Sequence, residues 1–149
     1  MNILHVGNIR NSRLNGVCIV VPRHIEHQAK YENVALFNLD THIPVVSKGK
    51  YPVFNRKEFN CKIKNLPTPF NKPDLVVFHE VYWPAFIGLS ANLRRRNIPY
   101  IIIPHCSLTQ VAQNTKTIKK FLGNLVLFNT FIHNAKAIHY PVSYTHLTL

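Results

Sequence analysis

The sequence predicts an α/β fold in which a parallel sheet is covered by helices on both faces. Short apolar runs at residues 2–7, 34–39, 75–78 and 100–103 are typical of buried parallel strands. Amphipathic stretches with apolar residues at helical spacing alternate with these runs along the chain. An alternation of strands and helices is the signature of such a sheet.

The first helix is expected within residues 16–30, which change from apolar to amphipathic. Pro22 interrupts this stretch, so the helix either begins near Pro22 or is kinked there. Residues 41–72 contain four prolines and several lysines, and we expect them to be irregular with one weak strand at most.

Two further helices are expected in the second half of the chain. One has Pro84 at a plausible first-turn position and is stopped by Asn97 and Pro99. The other is amphipathic and extends from about residue 115 to residue 133. Residues 137–140 then begin one more strand.

The chain of 149 residues has a strong excess of positive charge, with 18 Lys and Arg against six Asp and Glu and a formal net charge of +12. Such an excess favours nucleic acid, an anionic membrane surface or phosphate-bearing substrates as partners. No recognised nucleic-acid motif is visible, and aromatic residues are not interleaved with the basic clusters. We therefore expect no nucleic acid partner.

The three cysteines, Cys18, Cys61 and Cys106, have no zinc-binding spacing, so reduced thiols of a cytosolic protein are the simplest account. The N-terminus does not have the pattern of a signal peptide, and no apolar run is long enough to span a membrane. We expect a cytoplasmic location. His24 and His27 could share a helix face, but without further ligands we predict no metal site. No cofactor is predicted.

Ligands of parallel α/β sheets bind outside the carboxyl ends of the strands, which here indicates the loops 8–16, 79–83 and 104–110. Two familiar phosphate-binding signatures are missing from the sequence. The first strand is followed by Gly-Asn-Ile-Arg in place of GxGxxG, and residues 47–50 do not form a Walker loop. The sequence therefore excludes a dinucleotide fingerprint.

Five stretches within residues 1–140 form a further pattern: residues 2–7, 16–39, 73–79, 98–105 and 134–140. Their motifs and the order of these motifs resemble the N-terminal domain of family 4 glycosyltransferases, the retaining enzymes of the two-domain GT-B fold. The resemblance implies a Rossmann-like, acceptor-side half of such an enzyme. It further implies transfer of a sugar from a nucleotide-sugar donor to a saccharide acceptor in surface polysaccharide synthesis, with the nucleotide held chiefly by a C-terminal domain.

Three site residues are implied for the donor. His105 stands where the family usually has a histidine, and the resemblance implies a catalytic role in which it contacts the donor sugar or supports developing positive charge through backbone carbonyls. It need not be a general base, because in a front-face mechanism the departing phosphate takes the acceptor proton. Asn15 and Gly16 lie at a helix entrance that favours donor phosphate. The alternatives are a loop-packing histidine and a plain turn glycine.

The acceptor is expected to contact His79, Glu80 and Trp83, because they follow a strand end and the indole can stack on a sugar ring. The alternative is that Trp83 packs in the core while Glu80 lies near a helix start.

Lys116, Lys119 and Lys120 stand beside apolar residues, a pattern that suits an anionic membrane surface and a lipid-linked saccharide acceptor. They would place the protein peripherally at the inner face of the cell membrane. The alternative is that these lysines are solvated and the apolar side is core.

The last eight residues, 142–149, resemble a translated transposase adapter used in sequencing libraries. We therefore expect residues 1–141 to be an incomplete domain, residues 142–149 to be non-native, and the chain alone to be inactive. The alternative functions are a basic nucleic-acid-binding module and a nonenzymatic, single-domain Rossmann-like protein.

Overall fold

The computed structural model of the chain describes residues 1–11, 16–41, 49–105 and 128–140. Within these residues a sheet of six parallel strands has the order β3-β2-β1-β4-β5-β6. The strands are β1 (Asn2–Gly7), β2 (Asn33–Asn38), β3 (Val53–Asn55), β4 (Leu75–His79), β5 (Tyr100–Ile103) and β6 (Ala137–Ile138). The helices are α1 (Gly16–Gln28) and α2 (Pro84–Arg95), a short 3-10 helix covers Ile63–Asn65, and residues 128–133 are also helical.

The strand order reverses direction between β1 and β4. From β1 the chain builds outward through β2 and β3, and it then returns to the other side of β1 to add β4, β5 and β6. Such a reversal opens a crevice between the carboxyl ends of the two central strands, which is where α/β sheets bind their ligands. The predicted Rossmann-like α/β class is confirmed.

Each face of the sheet has its own core, because side chains along a strand alternate between the faces. The α1 face is packed by α1 through Cys18, Val21 and Ile25, and its strands contribute Ile3, Val34, Leu36, Val77 and Ile103. The α2 face is packed by α2 and by the helical residues 128–133, and its strands contribute Leu4, Val6, Ala35, Phe37, Val76, Phe78, Tyr100 and Ile102.

The first helix begins at Gly16, six positions before Pro22, so the alternative start near Pro22 is wrong. Proline lacks the N–H that would bond the carbonyl of Cys18 one turn earlier. The helix tolerates this loss because Cys18, Val21 and Ile25 bury one of its faces against the sheet. Tertiary packing therefore outweighs the local proline signal here.

In its described part, residues 49–72, the irregular segment contains one three-residue strand, in agreement with the prediction, together with the 3-10 helix. It is nevertheless well packed, since Tyr51 is buried on the α1 face while Ile63, Leu66 and Phe70 are buried on the α2 face. The second helix begins at Pro84 and ends at Arg95, close to its predicted limits. Of the third helix, residues 115–127 lie outside the described residues.

Candidate functional site at the carboxyl edge of the sheet

Three histidines lie in a diagonal row across the α1 face. In the sheet register, His5 of β1 is opposite Val77 of β4, two residues before His79. His79 is in turn opposite Ile103 of β5, two residues before His105. The step from His5 to His79 thus moves one strand sideways and two residues toward the carboxyl edge on the same face, while His105 lies in the turn just beyond β5. We call His5, His79 and His105 the histidine row.

The rings of the histidine row are joined by hydrogen bonds. Nδ1 of His5 lies 2.9 Å from Nε2 of His79, and Nδ1 of His79 lies 3.1 Å from Nε2 of His105. At the inner end, Nε2 of His5 lies 2.8 Å from Oε1 of Gln28, the last residue of α1. Neighbouring rings are stacked, with centroids 5.2 and 5.4 Å apart. These contacts hold the plane of each imidazole.

The histidine row is buried and uncharged at neutral pH. His5 and His79 are fully buried, whereas His105 retains 8% of its surface at the edge of the sheet. Burial lowers the pKa of His5 to about 4, against the opposing effect of its bond to Gln28. Burial also lowers the pKa of His79 well below its ordinary value, with repulsion from His5, His105 and His24 added. The pKa of His105 is lowered by burial and then by His24.

His24 of α1 covers the histidine row from the helix side. Its ring stands edge-on to His5 and His79, with centroids 5.7 and 6.2 Å away. Burial lowers its pKa, and repulsion from His139 and His27 lowers it further. In the part of the chain that the structure describes, no three His, Cys, Asp or Glu residues are arranged to hold a metal ion.

The backbone turns sharply where β4 and β5 end. Glu80 has φ 75° and His105 has φ 48°, so both occupy the left-handed region that side chains other than glycine rarely adopt. Such conformations cost about 1–2 kcal/mol each and concentrate at functional sites. The Glu80 N–H donates to the carbonyl of Ile103 at 2.8 Å, which anchors this turn to β5.

The end of β1 closely approaches the end of β4. A Cβ added to Gly7 would lie 3.1 Å from Cδ1 of Ile9 and 3.3 Å from Cβ of His79, so glycine leaves room for the buried histidine. Asn38 fixes the loop that follows. Its Oδ1 accepts from the N–H groups of Ile9 and Asp40 at 3.0 Å each, and its Nδ2 donates to the Ile9 carbonyl at 2.8 Å.

The structure brings together four of the predicted site residues. His79 and His105 are bonded to each other, and next to them the Trp83 Nε1–H donates to Oε2 of Glu80 at 2.5 Å. Trp83 also packs against the α2-face core, so the predicted core-packing alternative describes part of its surroundings. His79 has no exposed surface through which an acceptor could touch it, because its ring is enclosed by His5, His24 and His105. Glu80 and Trp83 are partly exposed and keep the acceptor contact as a prediction.

Other predicted residues lie elsewhere or cannot be placed. Gly16 is the exposed first residue of α1, and a Cβ added there would meet no atom within 4 Å. Asn15 lies outside the described residues, as do Lys116, Lys119 and Lys120 and the segment 142–149. Among the described residues, no helix has the length and apolar character needed to cross a membrane.

Sequence reasoning missed His5, Gln28 and Asn38. One signal was available for His5, because it is the only polar residue between Ile3 and Val6 in an otherwise apolar strand. Its partnership with His79 required the strand register, which follows from the packing of the whole sheet.

No protein-family model, curated protein or solved structure matches this chain.

Proposed function

We propose that residues 1–141 form the acceptor-side domain of a retaining glycosyltransferase that takes its sugar from a nucleotide-sugar donor. The observation that carries the proposal is the His105 imidazole, which is bonded to His79 at the carboxyl edge, two strands from β1 and next to the strand-order reversal. The substrate class comes from the resemblance in the sequence. The nucleotide would be held mainly by a second domain beyond residue 141.

A neutral, oriented imidazole suits the hydroxyl groups of a sugar. In the proposed reaction the bond between the anomeric carbon and the diphosphate oxygen breaks, and an acceptor hydroxyl bonds to the same face of that carbon. The departing phosphate takes the hydroxyl proton, so no protein base with a raised pKa is needed. This agrees with the lowered pKa of His105, which disfavours its cationic form.

The neighbouring pair Glu80 and Trp83 gives the acceptor a place at the same edge. The two side chains are bonded to each other and both are partly exposed, and an indole offers a flat apolar surface to a sugar ring. The net charge of +12 supports a phosphate-bearing, lipid-linked saccharide as the acceptor and an anionic membrane surface as the site of action.

The test is sugar transfer by the protein expressed from its complete reading frame, with labelled nucleotide sugars and polyprenyl-diphosphate-linked saccharides. We expect a labelled product with retained anomeric configuration. His105→Ala should lower kcat by at least about tenfold, because the ring positions the reacting sugar. The matched control is His133→Ala, an exposed histidine of the helix on the opposite face, which should leave kcat unchanged. Absence of transfer from every nucleotide sugar, or equal rates for both variants, would contradict the proposal.

A further inference from the structure

The histidine row has a direction, which Gln28 determines. The amide oxygen of Gln28 faces Nε2 of His5, and an oxygen of this kind only accepts hydrogen bonds. With the amide oxygen in this position, the proton of neutral His5 is on Nε2, which leaves Nδ1 as an acceptor. By the same rule His79 donates from Nε2 to His5 and accepts at Nδ1, so that His105 donates from Nε2 to His79.

A second proton on His79 would break this pattern. Its Nδ1 would then carry a hydrogen that points at the N–H of His105, across a distance of 3.1 Å. The groups that face the row from α1 are His24 and Gln28, neither of which carries a negative charge to stabilise such a cation. Burial and the direction of the hydrogen bonds therefore both disfavour a second proton on His79.

We propose that His5, His79 and Gln28 are positioning residues that hold His105 in a single tautomer, with its proton on Nε2 and its ring plane fixed at the carboxyl edge. The hydrogen-bond direction given by Gln28, a partly exposed residue of α1, thus passes through the buried rings of His5 and His79 to His105. The catalytic consequence rests on the proposed function, whereas the tautomer does not. A fixed tautomer means that Nδ1 of His105 is an acceptor in the resting protein.

The test reads the tautomer directly from the nitrogen NMR spectrum of the chain labelled with 15N-histidine. Loss of one signal pair in His105→Gln identifies the ring of His105. In the unsubstituted chain we expect the proton of His105 on Nε2. Gln28→Glu supplies an acceptor and should keep that tautomer.

Gln28→Lys supplies only donors and should reverse every bond in the row, which moves the proton of His105 to Nδ1. Gln28 is the partly exposed last residue of α1, so both substitutions are compatible with the fold. The control is His27→Gln, an exposed neighbour on the same helix that is outside the row, and it should leave the tautomer unchanged. A packing role alone would not move a proton on a ring two histidines away.

A second variant removes the row without emptying its space. His79→Phe fills the buried volume but offers no acceptor to Nε2 of His105, so the tautomer found in the unsubstituted chain should lose population. Three results would overturn the proposal: a proton on Nδ1 of His105 in the unsubstituted chain, the same tautomer in Gln28→Glu and Gln28→Lys, or a single unchanged tautomer in His79→Phe. A correct tautomer without sugar transfer would refute the proposed function alone.

Discussion

The two faces of the sheet differ most at the carboxyl edge, where successive residues of the same strand point to opposite sides. On the α2 face, Phe78 packs among the rings of Phe86, Tyr100 and Phe131, with centroids 4.8, 5.4 and 5.1 Å away. The next residue of β4 is His79, which on the α1 face bonds two other buried histidines. One residue along the strand separates an aromatic core from a polar network.

The difference indicates that the two faces of the sheet have different roles. The aromatic side buries large apolar rings, and the hydroxyl of Tyr100 donates to the carbonyl of Phe131 at 2.6 Å. The polar side buries three imidazoles and the Asn38 amide, whose removal from water is acceptable only because each is hydrogen-bonded. We therefore expect the α2 face to contribute to stability alone and the α1 face to contribute both to stability and to chemistry.

The largest effect on stability should come from the aromatic side. Phe78→Ala removes a fully buried ring with three aromatic neighbours and leaves a cavity, so the free energy of unfolding should fall by about 3–5 kcal/mol. Phe78→Leu keeps most of the volume and should cost clearly less. Chemical denaturation of both variants measures the difference. A loss of unfolding free energy below about 1 kcal/mol in Phe78→Ala would contradict a stabilising role of the aromatic side.

Acid should weaken the polar side specifically. Because burial lowers the pKa of His5 from 6.5 to about 4, the unfolded chain binds more protons than the folded one between these values. The stabilisation is fully present above pH 6.5 and is lost as the pH falls toward 4. For His5 alone the loss is roughly 3 kcal/mol, to which the lowered pKa of His79 adds.

Denaturation at a series of pH values shows whether the free energy of unfolding falls as the pH is lowered. His5→Phe removes one titrating group and should flatten the curve between pH 6.5 and 4, whereas the exposed His133→Ala should not. A free energy of unfolding that stays constant across this range in the unsubstituted chain would mean that the buried histidines are not held neutral by the fold.

A smaller loss is expected at Asn38. Asn38→Ala leaves the N–H and carbonyl of Ile9 without their buried partner, which should cost about 2 kcal/mol. Asn38→Asp keeps the acceptor for two N–H groups but loses the donor, so it distinguishes the two kinds of bond. Hydrogen exchange at the Ile9 amide is the sharper readout, and unchanged protection in Asn38→Ala would show that Asn38 does not fix this loop.

Much of the fold could be predicted from the sequence, because the apolar runs of β1, β4 and β5 and the proline that opens α2 are local signals. The start of α1 could not be predicted from local signals, because burial of Val21 and Ile25 against the sheet allows the helix to continue through Pro22. Only part of the candidate site could be predicted from the sequence. His79 and His105 follow recognisable strands, whereas the contribution of His5 depends on a register between residues 74 positions apart.

The most direct test compares two neighbouring residues of β4 in the protein expressed from its complete reading frame. His79→Phe and Phe78→Leu each change one ring, on opposite faces of the same strand, and kcat and the free energy of unfolding are measured for both. We predict that His79→Phe lowers kcat by about tenfold, because His105 is no longer positioned, while Phe78→Leu lowers stability and leaves kcat unchanged. Equal kcat values for the two variants, or full activity in His79→Phe, would contradict the division between the faces.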